Sequence, residues 1–174
     1  MINPAQYQAW YEDSQHKDEK TTPFSNTDIS EGAKTEDVID RTSFISNTLQ
    51  QAKEQSLLKF GERISPVIQD EFYEVVLPGM EQALSEFSYE YPEEKLSDLT
   101  ISEKPSGGIG EKIFHIYDSN TKEDVIRFHV RRENPPGEGH WFHFHYHTYK
   151  DGFEGHHSIA RIYWSHNTPP RWLS

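Results

Sequence analysis

The chain has 174 residues, a length that suits one domain or one domain with a tail. Its hydrophobic fraction is only 33% and its mean hydropathy is -0.87, but aromatic residues reach 13%, so we expect a compact, aromatic core. The formal net charge of -12 makes nucleic acid an unsuitable partner, and the absence of cysteine excludes disulfides, thiolate metal sites and cysteine nucleophiles.

The N-terminal part of the chain differs from the rest in composition. Residues 1–34 are polar and acidic, with few spaced apolar residues, so we predict a flexible acidic tail there and a single α+β domain over residues 35–174. Residues 111–174 carry eight acidic and eight basic residues and nine of the ten histidines. No apolar run reaches the roughly 18–20 residues of a membrane helix, so we expect no membrane span in this chain.

A first helix is predicted directly after the tail. Thr35 is expected to be its N-cap, because acidic residues follow in the first turn, where the helix dipole favours them. The helix should end near Gly61. Apolar or small residues recur on one face of it: Ile45, Leu49, Ala52 and Ser56.

A second helix is predicted over the next apolar stripe. Ser65 is expected to be its N-cap and Pro66 its first helical residue, where a missing amide N–H has no cost. Apolar residues keep helical spacing over residues 68–87. We expect a kink at Pro78, because proline removes one hydrogen bond of the helix.

The apolar period changes to two after this helix, which predicts strands. The intervening segments are rich in the glycine, proline, asparagine and aspartate of antiparallel turns. Five strands are predicted: Leu99–Lys104, Lys112–Asp118, Val125–Arg132, His140–Thr148 and Ser158–Ser165. The fold class is therefore α+β, with two N-terminal helices packed on one face of a mainly antiparallel sheet of about five strands.

Strand alternation sorts the side chains of the last three strands onto two faces. The face toward the helices should hold Ile126, Phe128, Val130, Phe142, Phe144, Tyr146, Ala160, Ile162 and Trp164. The opposite face should hold Arg127, His129, Arg131, His143, His145, His147, Ile159, Arg161 and Tyr163. An ordinary solvent face would carry lysine, glutamate, serine and threonine instead, so this face is the candidate site.

Symmetric turns give the expected pairing of strands across this face. A turn centred near Pro136 pairs His129 with His143 and Arg127 with His145. A turn centred near Phe153 pairs His145 with Arg161 and His143 with Tyr163. Directly opposed Cβ atoms are roughly 4.5–5.5 Å apart, so these side chains would form one polar and aromatic patch.

The first hypothesis for this patch is a small anionic or carbohydrate ligand. Guanidinium groups bind carboxylate or phosphate through paired hydrogen bonds, and imidazoles add donors whose charge varies near neutral pH. The predicted ligand-binding residues are Arg127, His129, His143, His145, Arg161 and Tyr163.

A second hypothesis is a metal site or metalloenzyme. Alternate residues of a strand project parallel side chains, and neutral imidazole suits zinc, copper or nickel, so His143, His145 and His147 have a ligand-like spacing. A divalent transition metal such as zinc is the candidate cofactor. The neighbouring Arg127 and Arg161 argue against it, since their charges repel a cation.

A third hypothesis is a structural or interaction domain without a small-molecule site. The histidines and arginines would then form a network of hydrogen bonds with one another, covered by the tail or by a protein partner whose identity the sequence does not indicate. No catalytic residue is predicted, and the question of enzymatic activity stays open.

Four stretches of the sequence resemble a known family. They are QSLLKFGERISPVIQDEF (55–72), EKIFHIYD (111–118), RFHVRRENPP (127–136) and HWFHFHYHTYKDGFEGHHSIARIYWSHNTPPRW (140–172). They are similar to the YpjP-like family of Firmicutes, and the last stretch is the most specific. The resemblance implies no particular reaction, cofactor or catalytic residue.

The resemblance has implications for location and for the metal hypothesis. Members commonly have an N-terminal hydrophobic segment before an acidic spacer, which implies the cell envelope or secretion if such a segment was trimmed here, and the cytoplasm otherwise. In the family pattern the residues at 115 and 143 need not be histidine. The implied metal ligands are therefore the histidines near the turn between the last two predicted strands: His145, His147, His156 and His157.

Overall fold

The computed structural model describes residues 40–172, so the tail predicted over residues 1–34 lies outside the described residues. The described elements are α1 (Arg41–Glu71), a π-helical turn (Phe72–Val76), α2 (Leu77–Glu90), a 3-10 helix (Glu93–Asp98), β1 (Leu99–Ile101), β2 (Lys112–Asp118), β3 (Asp124–Glu133), β4 (His140–Thr148), a short 3-10 helix (Tyr149–Asp151) and β5 (His157–Ser165). This arrangement confirms the predicted α+β fold. Within this part of the chain, no helix is both long enough and apolar enough to cross a membrane.

Helix α1 begins later than the sequence predicts. Its N-cap is Asp40, whose carboxylate accepts a hydrogen bond of 2.9 Å from the backbone N–H of Ser43. This bond satisfies one of the free amides at the helix start, so a cap at Thr35, which itself lies outside the described residues, is the wrong start for this helix.

The two predicted helices are joined into one element with a break at Gly61. This residue has φ 64° and ψ -177°, a conformation that is essentially restricted to glycine. The helical path resumes directly after Gly61, so the prediction that Ser65 caps a separate helix is wrong, and Pro66 lies inside α1.

The predicted disturbance at Pro78 takes the form of a π-helical turn. Residues Phe72–Val76 are π-helical, and α2 starts at Leu77 with Pro78 in its first turn. Proline cannot donate a backbone hydrogen bond and its ring crowds the preceding turn, so the irregularity falls on the N-terminal side of Pro78.

The buried face of α1 is rotated by one residue from the predicted stripe. Phe44 and Thr48 are buried, whereas Ile45 and Leu49 are only partly buried and pack at the margin of the core. The C-terminal half of the predicted stripe is correct, since Ala52 and Ser56 are completely buried.

The sheet is antiparallel throughout, in the order β1-β2-β3-β4-β5. The predicted bounds of β2 and β4 are confirmed, and β1 is shorter than predicted. The core lies between this sheet and the helices. From the sheet it contains Ile113, Phe114, Ile116, Ile126, Phe128, Val130, Phe142, Phe144 and Ile162, all at most 1% exposed.

The strands pair two residues away from the predicted register. His129 lies opposite His145, and Arg127 lies opposite His147, so the predicted pairs of the β3–β4 hairpin are wrong. The predicted pairs of the β4–β5 hairpin are also wrong, since Arg161 lies opposite His143 and Tyr163 opposite Trp141. A slip of two residues keeps every side chain on its face, whereas a slip of one would have exchanged the faces.

A bulge changes the face of one residue in β5. The register of β4 and β5 shifts between Phe144 and His145. A Cβ added at Gly79 of α2 would lie 2.4 Å from Cγ2 of Ile159, so Ile159 faces the helices. Its predicted place on the opposite face is therefore wrong, because strand parity does not hold across a bulge.

Candidate functional site

A cluster of imidazoles occupies the sheet face that the helices leave uncovered. Ring centroids are 5.7 Å apart for His129 and His145, 5.1 Å for His129 and His147, and 5.1 Å for His145 and His147. His145 is completely buried and His147 is 7% exposed, although both lie on the face opposite the helices. These three residues form the histidine triad.

The turn between β4 and β5 covers the triad. The ring of His156 stacks on His145 with a centroid distance of 5.0 Å and lies 4.5 Å from the ring of His147. The guanidinium of Arg127 lies 3.9 Å from the ring centroid of Phe153. This cover explains why the side chains below it are buried.

Ring nitrogens of the triad converge. One ring nitrogen from each residue lies within 4.8 Å of those of the other two. Nδ1 of His147 is 3.0 Å from the carbonyl oxygen of Phe153, so it carries the proton and leaves Nε2 with a lone pair. Nδ1 of His145 faces the carbonyl oxygen of His143 at 3.4 Å. Among the described residues, Nε2 of His145 is buried without a hydrogen-bond partner.

His115 and the carboxylate of Asp124, which lie outside the triad, fix the orientation of His129. Nε2 of His129 is 3.0 Å from Nε2 of His115, and Nδ1 of His115 is 3.1 Å from Oδ2 of Asp124. The carboxylate can only accept, so His115 carries its proton on Nδ1 and accepts from Nε2 of His129. The neutral ring of His129 is therefore left with its lone pair on Nδ1.

Burial keeps these rings neutral near pH 7. Desolvation lowers the pKa of His145 and of His115 to about 4, although the carboxylate of Asp124 opposes this effect at His115. Desolvation and the neighbouring histidines lower the pKa of His129 to about 3, and desolvation also lowers the pKa of His147. Neutral imidazole is the form that binds metal ions.

The arginines of this face are already paired with carboxylates. Nε of Arg127 donates to Asp124 at 2.8 Å, and Nε of Arg161 lies 3.1 Å from Oε2 of Glu133. Nε of Arg131 donates to Oε1 of Glu111 at 2.8 Å. These ion pairs offset the positive charge that the sequence alone places around the triad.

Two predicted ligand-binding residues, His143 and Tyr163, are engaged outside the triad, although the ring centroid of His143 lies 5.5 Å from that of His145. The ring nitrogens of His143 are both engaged, with Glu133 at 2.8 Å and with Ser158 at 2.8 Å. Tyr163 is 43% exposed and packs edge-on against Trp141. Of the predicted ligand-binding residues, His129 and His145 thus belong to the triad, whereas His143 and Arg161 both contact Glu133.

The two adjacent histidines of the turn separate. His156 joins the cover of the triad, whereas His157 stacks on Tyr146 at a centroid distance of 4.9 Å and pairs with Asp151 at 3.1 Å. The structure therefore brings His145, His147 and His156 together but places His157 elsewhere. His129, which was not among the predicted metal ligands, lies beside His145 and His147 instead.

Sequence reasoning missed Glu111 and misplaced His129. Glu111 was not among the predicted site residues, but its Oε2 lies 3.7 Å from Nε2 of His145. His129 was predicted opposite His143. The available signal was the pair of glycines at 137 and 139, which adopt φ of 79° in the loop after Glu133, where the hairpin is centred one residue beyond Pro136.

Comparison with known proteins agrees with the sequence resemblance. A family profile described as YpjP-like protein matches residues 39–172. The chain is 48% identical over 133 residues to the Uncharacterized protein YpjP of Bacillus subtilis (strain 168), a match that covers 76% of this chain and 66% of that protein. No solved structure matches significantly. The chain belongs to the YpjP-like family.

Proposed function

We propose that this member of the YpjP-like family binds one divalent transition metal ion, such as zinc, through His129, His145 and His147. The observation that carries the proposal is the ring nitrogen Nε2 of His145, which is buried without a hydrogen-bond partner among the described residues. A buried polar atom left unsatisfied costs roughly 1–3 kcal/mol. A metal ion bound at this lone pair would remove that cost.

The hydrogen bonds around the triad support the same function. Metal-binding histidines usually donate their second ring N–H to a carbonyl or a carboxylate, which fixes the ring orientation. His147 donates to the carbonyl oxygen of Phe153, and His129 is linked through His115 to Asp124. Each lone pair is therefore left free on the nitrogen that makes no such bond.

The spacing of the nitrogens needs only a small adjustment. Two ligands on one tetrahedral zinc ion, with bonds of about 2.0–2.1 Å, are about 3.3–3.5 Å apart. The triad nitrogens lie within 4.8 Å of one another, so small side-chain rotations close the difference. The β3–β4 pairing holds the three residues on adjacent strands.

A small anionic or carbohydrate ligand is a second candidate with less support. Arg127 and Arg161 would bind an anion, but each already contacts a carboxylate, which the anion would have to displace. The observation in its favour is the exposed ring of Tyr163 beside Trp141, which offers a stacking surface. Arg161→Ala would abolish such binding without unfolding the protein.

Zinc titration of the full chain without an affinity tag tests the metal proposal. We expect one equivalent of tightly bound zinc, and a loss of affinity of at least about tenfold in His145→Gln and in His129→Gln. His166→Gln is the matched control, since His166 is exposed and its ring hydrogen-bonds Asn167 rather than a residue of the triad. Absence of zinc binding by the natural sequence, or equal affinity in His145→Gln, would contradict the proposal.

A further inference from the structure

Among residues 40–172, the carboxylate of Glu111 is the acidic group nearest to the unpartnered nitrogen of the triad. Its Oε2 lies 3.7 Å from Nε2 of His145, which is too long for a hydrogen bond. It is close to the separation of about 3.3–3.5 Å between two ligands on one tetrahedral metal ion. We propose that Glu111 is the fourth protein ligand of the metal ion, an inference that rests on the proposed function.

The chemistry of the two facing atoms supports a cation between them. Nδ1 of His145 points to the carbonyl oxygen of His143, so Nε2 carries the lone pair. A carboxylate oxygen and a nitrogen lone pair repel each other when they face across a short distance. A shared metal ion turns this repulsion into two favourable bonds.

The backbone places Glu111 firmly beside the triad. Its carbonyl oxygen accepts a hydrogen bond of 2.9 Å from the backbone N–H of Val130, the residue that follows His129 on β3. The next residue, Lys112, pairs with His129 in the sheet. The position of Glu111 is therefore set by the same strand that carries one of the ligands.

Arg131 binds the two carboxylate oxygens of Glu111 unequally. Its Nε donates to Oε1 at 2.8 Å, whereas its Nη2 donates to Oε2 through a longer and weaker hydrogen bond of 3.4 Å. Oε1 would stay with Arg131 and Oε2 would bind the metal ion. Arg131 is then a positioning residue, which holds the carboxylate in the orientation that the metal needs.

The resulting ligand set indicates the class of metal. Three neutral imidazoles and one carboxylate oxygen suit borderline divalent ions such as zinc, cobalt or nickel, whereas Cu(I) prefers thiolate and thioether ligands. The carboxylate would also lower the net charge of the divalent ion and its ligands from two to one. We therefore expect the site to favour divalent ions over Cu(I).

Zinc affinity and the absorption spectrum of the Co(II) form test this inference on the untagged full chain. Glu111→Gln should weaken zinc binding at least about tenfold and change the visible Co(II) bands, because one ligand is lost. Glu111→Asp should also weaken zinc binding. The shorter aspartate side chain keeps the negative charge but holds its oxygens farther from the metal ion. Glu133→Gln is the control, as Glu133 lies on the same face and has a similar side-chain exposure, 26% against 34%.

Each outcome decides one of the two proposals. Equal affinities in Glu111→Gln and Glu133→Gln, or unchanged affinity in Glu111→Asp, would overturn the role of Glu111 as a ligand and leave the histidine site standing. Unchanged Co(II) bands in Glu111→Gln would have the same meaning. Failure of the natural sequence to bind zinc would instead overturn the proposed function itself.

Discussion

The buried ring of His145 departs from the general rule that buried polar atoms are hydrogen-bonded. Strand alternation predicts that His145 lies on the face opposite the helices, and it does. Alternation alone does not predict that the ring is buried, because its cover comes from His156 in the turn before β5. The residue types and the face were thus predictable from the sequence, but the environment that gives His145 its chemistry was not.

The carboxylate of Asp124 provides a test at the scale of single residues. It accepts from His115 and so determines the tautomer of His129. Asp124→Asn removes the charged acceptor, and we expect zinc affinity to fall by about tenfold while the fold is retained.

The matched control for this substitution is Asp118→Asn. Asp118 accepts hydrogen bonds from the backbone of Asn120 and Thr121 in a turn, so the control changes the same charge without contacting the imidazoles. Isothermal titration calorimetry with zinc compares the two variants. An equal loss of affinity in both would show that only the overall charge matters.

At the scale of elements, the strands were more predictable than their pairing. The bounds of β2 and β4 follow from the change of apolar period, but register depends on the turn geometry of the loop that contains Gly137 and Gly139. Since a two-residue slip leaves every side chain on the same face, the hydrophobic pattern cannot detect it. This explains why strand alternation predicted the face on which these histidines lie but not the partner of His129.

The contact between α2 and β5 depends on the absence of a side chain at Gly79. A Cβ there would lie 2.4 Å from Cγ2 of Ile159. Alanine ordinarily favours a helix over glycine by about 1 kcal/mol, but overpacking costs roughly 1–3 kcal/mol. We expect Gly79→Ala to lower the free energy of unfolding, as measured by urea denaturation.

A second substitution distinguishes the clash from other effects. Ile159→Ala removes the contacting methyl group, so in that background Gly79→Ala should be neutral or stabilising. If Gly79→Ala were as destabilising with Ile159→Ala as without it, the close contact would not be the cause. Stabilisation by Gly79→Ala alone would also contradict this account.

At the scale of the whole molecule, a sheet that buries neutral histidines should be sensitive to acid. The pKa values of His115 and His145 are lowered to about 4 and that of His129 to about 3, whereas an unfolded chain has a histidine pKa near 6.5. Between these values the unfolded state binds more protons than the folded state. The free energy of unfolding should therefore decrease as the pH falls from about 6.5 to 4.

Urea denaturation of the metal-free protein at several pH values measures this effect. The largest slope for one fully protected histidine is about 1.4 kcal/mol per pH unit. His129→Gln should make the dependence shallower, since it removes one such histidine. A stability that does not change between pH 6.5 and 4 would contradict the burial of neutral rings.

The histidine triad can be tested most directly by X-ray diffraction from zinc-soaked crystals, with anomalous data collected on both sides of the zinc edge. The account predicts one anomalous peak within bonding distance of His129, His145 and His147, with the oxygen of Glu111 completing the site. The absence of a peak there, or a peak only at exposed histidines such as His166, would contradict it.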